Sequence, residues 1–248
     1  MLIPQKLIPI IRQAKSCLVL TGAGVSAESG LETFRGRQGL WDDFDPLKLA
    51  TPEAFARQPQ KVWEWYQWRR AKLPLVQPNP AHLAIAQMED LFEDFLLATQ
   101  NIDGLHQRAG STKMVELHGN LNRNKCSRCG IVIEYLPESD EVPPRCQCGG
   151  RIRPDVVWFG EMLPEAVLRQ AWRAAEGADL FLSVGTSSAV QPAASLGLVA
   201  KNNGALLVEV NPERTEFSPR ADLLLTGPAG QLMPELVRRM SILRKGGN

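Results

Sequence analysis

The sequence predicts an α/β fold, a doubly wound parallel sheet covered by helices and interrupted by a small inserted module. Three observations carry this. Short apolar runs, Cys17–Leu20, Phe95–Ala98, Asp179–Val184, Ala205–Val210 and Leu223–Leu225, alternate with helix-like stretches, as strands buried on both faces do. Runs of this kind end in Gly, Ser, Asn or Asp, and ligands of open α/β sheets bind just past the carboxyl ends of strands. Four of the five cysteines lie together as Cys126-x2-Cys129-x16-Cys146-x-Cys148. The expectation is a Rossmann-like domain spanning 1–248, with a small inserted zinc-binding module at 120–154.

A chain of 248 residues, 44% hydrophobic and 22% charged, suits one such globular domain. The net charge of +1 gives no electrostatic reason to bind nucleic acid or an anionic membrane. No apolar run approaches a membrane span, and residues 1–20 lack the pattern of a secretory leader. The expected location is cytoplasmic, with no direct nucleic-acid or membrane partner.

Taken in order, Ile3, Leu7, Ile10, Ile11 and Ala14 share a helical face. Cys17–Leu20 is a strand that places Cys17 in inert core. It runs into Thr21-Gly-Ala-Gly-Val-Ser, a turn whose backbone N–H groups can approach a pyrophosphate. Alone this signal is weak, because the third glycine of the usual fingerprint is misplaced. Arg35, after Phe34, is either a phosphate partner or a solvated loop residue. Pro52 opens a short helix, and Lys61–Leu73 reads as a helix dense in aromatics, with Trp63, Trp65, Tyr66 and Trp68. By composition that helix is a core face with Arg69 and Arg70 in solvent, although Tyr66 and Arg69 share a side. Asn79-Pro80 caps another helix whose first turn holds a structural His82.

Thr99-Gln-Asn-Ile-Asp-Gly-Leu-His follows the second strand and concentrates an amide, a carboxylate and a histidine at its carboxyl end. Glu116-Leu-His-Gly, after the strand-like Met114–Leu117, adds His118. The cysteines supply the four thiolates of a closed structural zinc site, with disulfides as the competing reading. Pro154–Glu161 reads as extended and Pro164–Glu176 as a helix. Gly185-Thr-Ser and Asn211-Pro-Glu end the third and fourth long strands, and a final helix follows Gly230.

Together these motifs resemble the sirtuins, the NAD-dependent protein lysine deacylases, in the family's order and over nearly the whole chain. The resemblance implies that NAD is held by Gly22, Ala23, Gly24, Ser26, Phe34, Arg35 and Trp41 on the first loop. It adds Gln100, Asn101, Ile102 and Asp103 on the nicotinamide and ribose side. On the adenosine side it adds Gly185, Thr186, Ser187, Asn211, Pro212, Glu213 and Ala229. It implies one structural zinc on Cys126, Cys129, Cys146 and Cys148, and pairing of substrate backbone along Val157, Phe159, Gly160 and Glu161. Glu32 departs from the family, which usually has proline before Thr-Phe-Arg. Ala50, Tyr66 and Arg69 resemble the acyl pocket of the class III branch, similar to human mitochondrial sirtuin five, which removes succinyl, malonyl and glutaryl groups. A carboxylate-ended acyl group suits a bidentate cation beside a hydroxyl.

The implied reaction begins with attack of an acyl-lysine amide oxygen on the ribose carbon that bears nicotinamide, positioned by Asn101 and Asp103. His118 then serves as general base on the ribose hydroxyls. The products are nicotinamide, free lysine and O-acyl-ADP-ribose, and the partners are acyl-lysine proteins or peptides. His106 is structural or supports the site. A mono-ADP-ribosyltransferase using the same NAD site and a non-catalytic NAD-binding scaffold are the competing readings.

Overall fold

The computed structural model describes residues 3–33 and 43–245. Phe34, Arg35 and Trp41 lie outside the described residues.

The strands run β1 (Ser16–Thr21), β2 (Asp94–Thr99), β3 (Met114–Glu116), β4 (Gly119–Cys126), β5 (Val132–Ile133), β6 (Ile152–Val156), β7 (Leu180–Val184), β8 (Leu206–Asn211) and β9 (Leu223–Thr226). Among the described residues they form a six-stranded sheet, ordered β3-β2-β1-β7-β8-β9, and a three-stranded sheet, β5-β4-β6. Every pairing in the large sheet is parallel, as expected from strands buried on both faces. The chain builds outward from β1 to β2 and β3, then returns to place β7 on the other side of β1. The β1/β7 boundary is therefore the topological switch point, where a crevice opens at the carboxyl ends.

Helices are α1 (Ile8–Gln13), α2 (Gly24–Ala27), α3 (Pro46–Leu49), α4 (Pro52–Arg57), α5 (Pro59–Lys72), α6 (Pro80–Gln87), α7 (Leu105–Arg108), α8 (Glu165–Glu176), α9 (Ser195–Asn202) and α10 (Ala229–Lys245). The proline that opens α3, α4, α5 and α6 supplies a preset φ where no N–H partner is needed. Asp45, Thr51 and Asn79 cap three of these helices by accepting from Leu47, Ala54 and Ala81 N–H, at 2.9, 3.1 and 2.9 Å.

Alternate strand residues feed opposite faces. Val19, Leu97, Leu182 and Val208 join α1, α6 and α10 in one core; Leu18, Leu20, Phe181 and Leu207 join α8 and α9 in the other. Leu7, Ile11 and Ala14 enter the first core as expected, but Ile10 is 43% exposed, because the helix proper begins only at Ile8 after a 3-10 turn.

A third cluster joins the aromatic helix to the inserted segment. Val62, Trp65 and Tyr66 pack with Leu121 of β4, Val156 of β6 and Trp158 just beyond it. Arg70 pins this contact: its guanidinium donates to the Leu121 carbonyl at 2.8 Å and to Asn124 Oδ1 at 2.9 Å. Segments 44–73 and 119–158 thus make one small lobe from two separate excursions of the chain. Trp68 does not join its core. It stays 41% exposed, with Lys72 Nζ 3.8 Å above its ring.

Candidate active site

The crevice begins where β1 ends. Gly22 N–H donates to Val184 O at 3.2 Å, and Gly24 N–H to Gly185 O at 2.8 Å, so the loop after β1 locks onto the loop after β7. A Cβ on Gly22 would lie 2.8 Å from Thr186 Cβ, one on Gly24 2.8 Å from Gly185 O, and one on Gly185 2.5 Å from Val25 N. The glycine missing from the usual spacing is thus replaced in space by Gly185, from a different strand. The backbone at this crossing has no room for side chains, as suits the close approach of a nucleotide at the carboxyl ends of the strands.

Beside the cradle lies a buried polar platform. Asn101 and Asp103 leave β2 and are 6% and 9% exposed. Ser26 Oγ–H donates to Asp103 Oδ2 at 2.7 Å and accepts from Asn101 Nδ2 at 3.1 Å. With the Ser26 proton on Asp103, His82 Nε2, 3.4 Å from Ser26 Oγ, must be the donor. His82 Nδ1 then accepts from Asn79 N–H at 3.3 Å, so both ring nitrogens are used by a neutral imidazole. Burial drives the His82 pKa down to about 4. It also raises the Asp103 carboxyl, which hydrogen bonds from Leu105 N–H and Ser26 pull partly back. His106, pushed well below its ordinary pKa by burial and by His82, lies behind the platform, with Nε2 3.1 Å from Thr21 Oγ1. The Asn79-Pro80 cap was legible, but contact of His82 with Ser26 across 56 residues was not.

Gln100 Nε2 donates to Thr186 Oγ1 at 2.9 Å and bridges the two loops. Its carbonyl oxygen lies 3.1 Å from His118 Nδ1. A carbonyl can only accept, so Nδ1 carries the proton and Nε2 keeps its lone pair. Burial lowers the His118 pKa against the opposing effect of that bond, which favours the neutral ring. His118 is half-buried, and its own carbonyl accepts from Val157 N–H at 2.9 Å, tying it to the segment that follows β6.

A cavity of about 50 Å³ next to the platform is lined by Ala23, Ser26, Ile102, Asn101, Asp103 and Arg69, with Leu31, Glu32 and Lys72 at its side. Burial lowers the Arg69 pKa, while Tyr66 and Asp103 hold it up. Tyr66 is buried; its Oη accepts from Trp158 Nε1 at 2.8 Å, so the phenolic proton remains to donate elsewhere. Burial also holds Tyr66 protonated, with a pKa near about 12. Ala50 is buried in the same aromatic cluster, and its carbonyl accepts from Phe159 N–H at 2.9 Å. Phe159 and Gly160 are exposed beside it. Glu161 takes Arg153 at 2.5 and 3.0 Å and Trp158 N–H at 2.8 Å, so its carboxylate closes this turn. Glu32, the departure from the family pattern, pairs with Lys72 at 3.2 Å.

On the far side of the crevice, Asn211 Nδ2 donates to Thr186 O at 3.0 Å. Ser187, Pro212 and Glu213 are exposed there. Ala229 opens α10 with its side chain in the core, leaving only its backbone for a ligand.

The four cysteine sulfurs all lie within 4.8 Å of one another. Cys126 and Cys148 are 3.4 Å apart and Cys129 and Cys146 3.9 Å. Tetrahedral zinc with sulfurs at about 2.3 Å places them about 3.8 Å apart, so the set fits one zinc ion per chain. Gly150 allows the second knuckle to close, since a Cβ there would lie 2.6 Å from Cys126 Sγ.

Among the described residues no helix is long and apolar enough to cross a membrane. Residues 22–192 match the model of the Sir2 family. The chain is 55% identical over 220 residues to an NAD-dependent protein deacylase of Thermus thermophilus, covering 87% of this chain and 86% of that one. It is 49% identical over 238 residues to NAD-dependent protein deacylase 1 of Archaeoglobus fulgidus, covering 95% and 97%. A crystal structure of a Sir2 homologue in complex with NAD superposes with a TM-score of 0.88 at 48% identity, over 97% of this chain and 94% of that one. With a family match across the cradle, the platform, His118 and the cysteine cluster, and relatives of this identity over most of their length, the chain belongs to the Sir2 family.

Proposed function

We propose that the protein is an NAD-dependent protein-lysine deacylase that favours acyl groups ending in a carboxylate, such as succinyl and malonyl, and also removes acetyl. The observation that carries the deacylase reading is His118, held through Nδ1 by the Gln100 backbone carbonyl so that Nε2 keeps its lone pair. Bound NAD would supply an electrophilic ribose carbon and a leaving nicotinamide. Around it, the cradle glycines would hold the pyrophosphate, and Asn101 and Asp103 the nicotinamide and ribose. Gln100, Ile102, Thr186, Ser187, Asn211, Pro212 and Glu213 would complete the nucleotide site. His118 Nε2 would take the proton from a ribose hydroxyl. The segment Val157–Gly160, fixed to His118 and Ala50 through its backbone, would pair with the peptide. Cys126, Cys129, Cys146 and Cys148 would hold the zinc that closes the module.

The acyl preference rests on Tyr66 and Arg69. A spare phenolic proton and a guanidinium in a dry setting match a terminal carboxylate, and Ala50 leaves the room that a bulkier residue would fill. Neither residue helps to transfer ADP-ribose to an acceptor side chain, which sets the transferase reading behind. The test is mass spectrometry of NAD reactions with matched succinyl, malonyl and acetyl peptides. Free lysine with O-acyl-ADP-ribose supports the reading, and an ADP-ribosylated peptide overturns it.

A further inference from the structure

Away from the crevice, a groove of about 500 Å³ separates α4 from the cysteine module. Its apolar floor is Pro52, Phe55 and Trp158, and four arginines line it: Arg128, Arg145, Arg151 and Arg153. The one carboxylate in its wall, Glu161, is already taken by Arg153 and the Trp158 N–H. Arg145 is paired with Glu141, whereas Arg128 and Arg151 have no salt bridge among the described residues. This concentration is notable in a chain of net charge +1. Arg153 is 5% exposed, stacked 3.2 Å over the Trp158 ring and held by Glu161 and the Val156 carbonyl, so it forms a fixed part of the groove wall.

We propose that this groove binds an acidic segment of the substrate protein, glutamates or aspartates flanking the acyl-lysine. The inference deepens the deacylase reading and rests on it, because Trp158 and Glu161 belong both to the groove wall and to the turn of the substrate-pairing segment. The apolar floor receives the methylenes of a Glu side chain, and a guanidinium donates to its carboxylate bidentately. A peptide lying on Val157–Gly160 therefore continues into a positive surface on leaving the cleft.

The test uses the whole protein and fluorescent acetyl-lysine peptides with a run of glutamates on the amino or the carboxyl side of the lysine, each matched by a glutamine version. One glutamate peptide should show a KM about tenfold below its glutamine partner, the factor that a single charge-assisted contact supplies. The advantage should fade as salt rises. Arg151→Glu, at a side chain with no hydrogen bond or salt bridge among the described residues, should abolish it while leaving the glutamine peptides unchanged. Peptide anisotropy without NAD reads the same discrimination independently of turnover. Thus absence of all deacylation would sink the deacylase reading, while equal binding of glutamate and glutamine peptides would sink the groove. Retained glutamate preference in Arg151→Glu, or displacement of both peptides alike by single-stranded nucleic acid, would equally overturn the proposal.

Discussion

The Nδ1 nitrogen of His118 lies 3.1 Å from the carbonyl oxygen of Gln100, and this contact fixes which ring nitrogen can act as a base. His118→Ala should lower kcat/KM for deacylation about 10²–10⁴-fold, the usual worth of a general base. NAD binding, read by calorimetry, should survive. The base must be neutral, and burial moves its pKa below the ordinary histidine value. The acid limb of the kcat/KM profile should therefore fall below pH 6.5, with activity lost as pH drops through it. An acid limb above that value, or near wild-type turnover in the variant, would move the role elsewhere.

Burial disfavours the charge of Arg69, which Tyr66, Asp103 and Glu32 sustain. A succinyl carboxylate would add a further anion at the guanidinium and an acetyl group would not. A charge-assisted hydrogen bond contributes about 1.5–3 kcal/mol, so the succinyl-to-acetyl ratio in kcat/KM should be about tenfold to a hundredfold. Arg69→Met should remove most of that ratio and spare deacetylation. Equal ratios in wild type and variant would make Arg69 a structural residue of α5.

His82 makes the platform sensitive to acid. Its pKa is about 4 in the fold, against 6.5 when exposed. Protonation is thus favoured in the unfolded chain, and the contribution of neutral His82 is complete above pH 6.5 and lost as pH falls toward 4. The loss is about 3 kcal/mol, and His106 adds to it in the same direction. His82→Gln should flatten the dependence of urea stability on pH in this window. An unchanged slope would show that His82 does not titrate with unfolding.

Purified protein should contain one zinc per chain, and a strong chelator should lower the melting temperature. Because the cysteine module shares its core with α5, stripping the metal should raise KM for the acyl peptide more than KM for NAD. Metal-free protein with unchanged stability would refute a structural role.

Much of this was legible in the sequence, because strands buried on both faces, proline at helix starts and paired cysteines each leave a local signature. Cys17, Asn79 and the cysteine set sit as their neighbours imply. What chain order could not reveal is which remote segments meet. Gly185 completing the cradle of Gly22 and Gly24, His82 reaching Ser26, and Tyr66 packing on Trp158 are contacts across long separations, and periodicity carries no information about them. The exposure of Ile10 and Trp68 was missed for a different reason: both match an apolar pattern, but one lies past a 3-10 turn and the other beneath a lysine.

Arg70 joins the two excursions that build the small lobe. Besides Gln67 on its own helix, its carbonyl or amide acceptors on Leu121, Arg123 and Asn124 belong to the strand that leads into the cysteines. Helix α5 and the cysteine module therefore share one interface. A chimera that imports α5 alone from a relative of different acyl preference would strand those acceptors at the seam, whereas one that imports 44–73 together with 119–158 would carry its own interface. Swapping specificity between members of the family should succeed with the pair and fail with the helix.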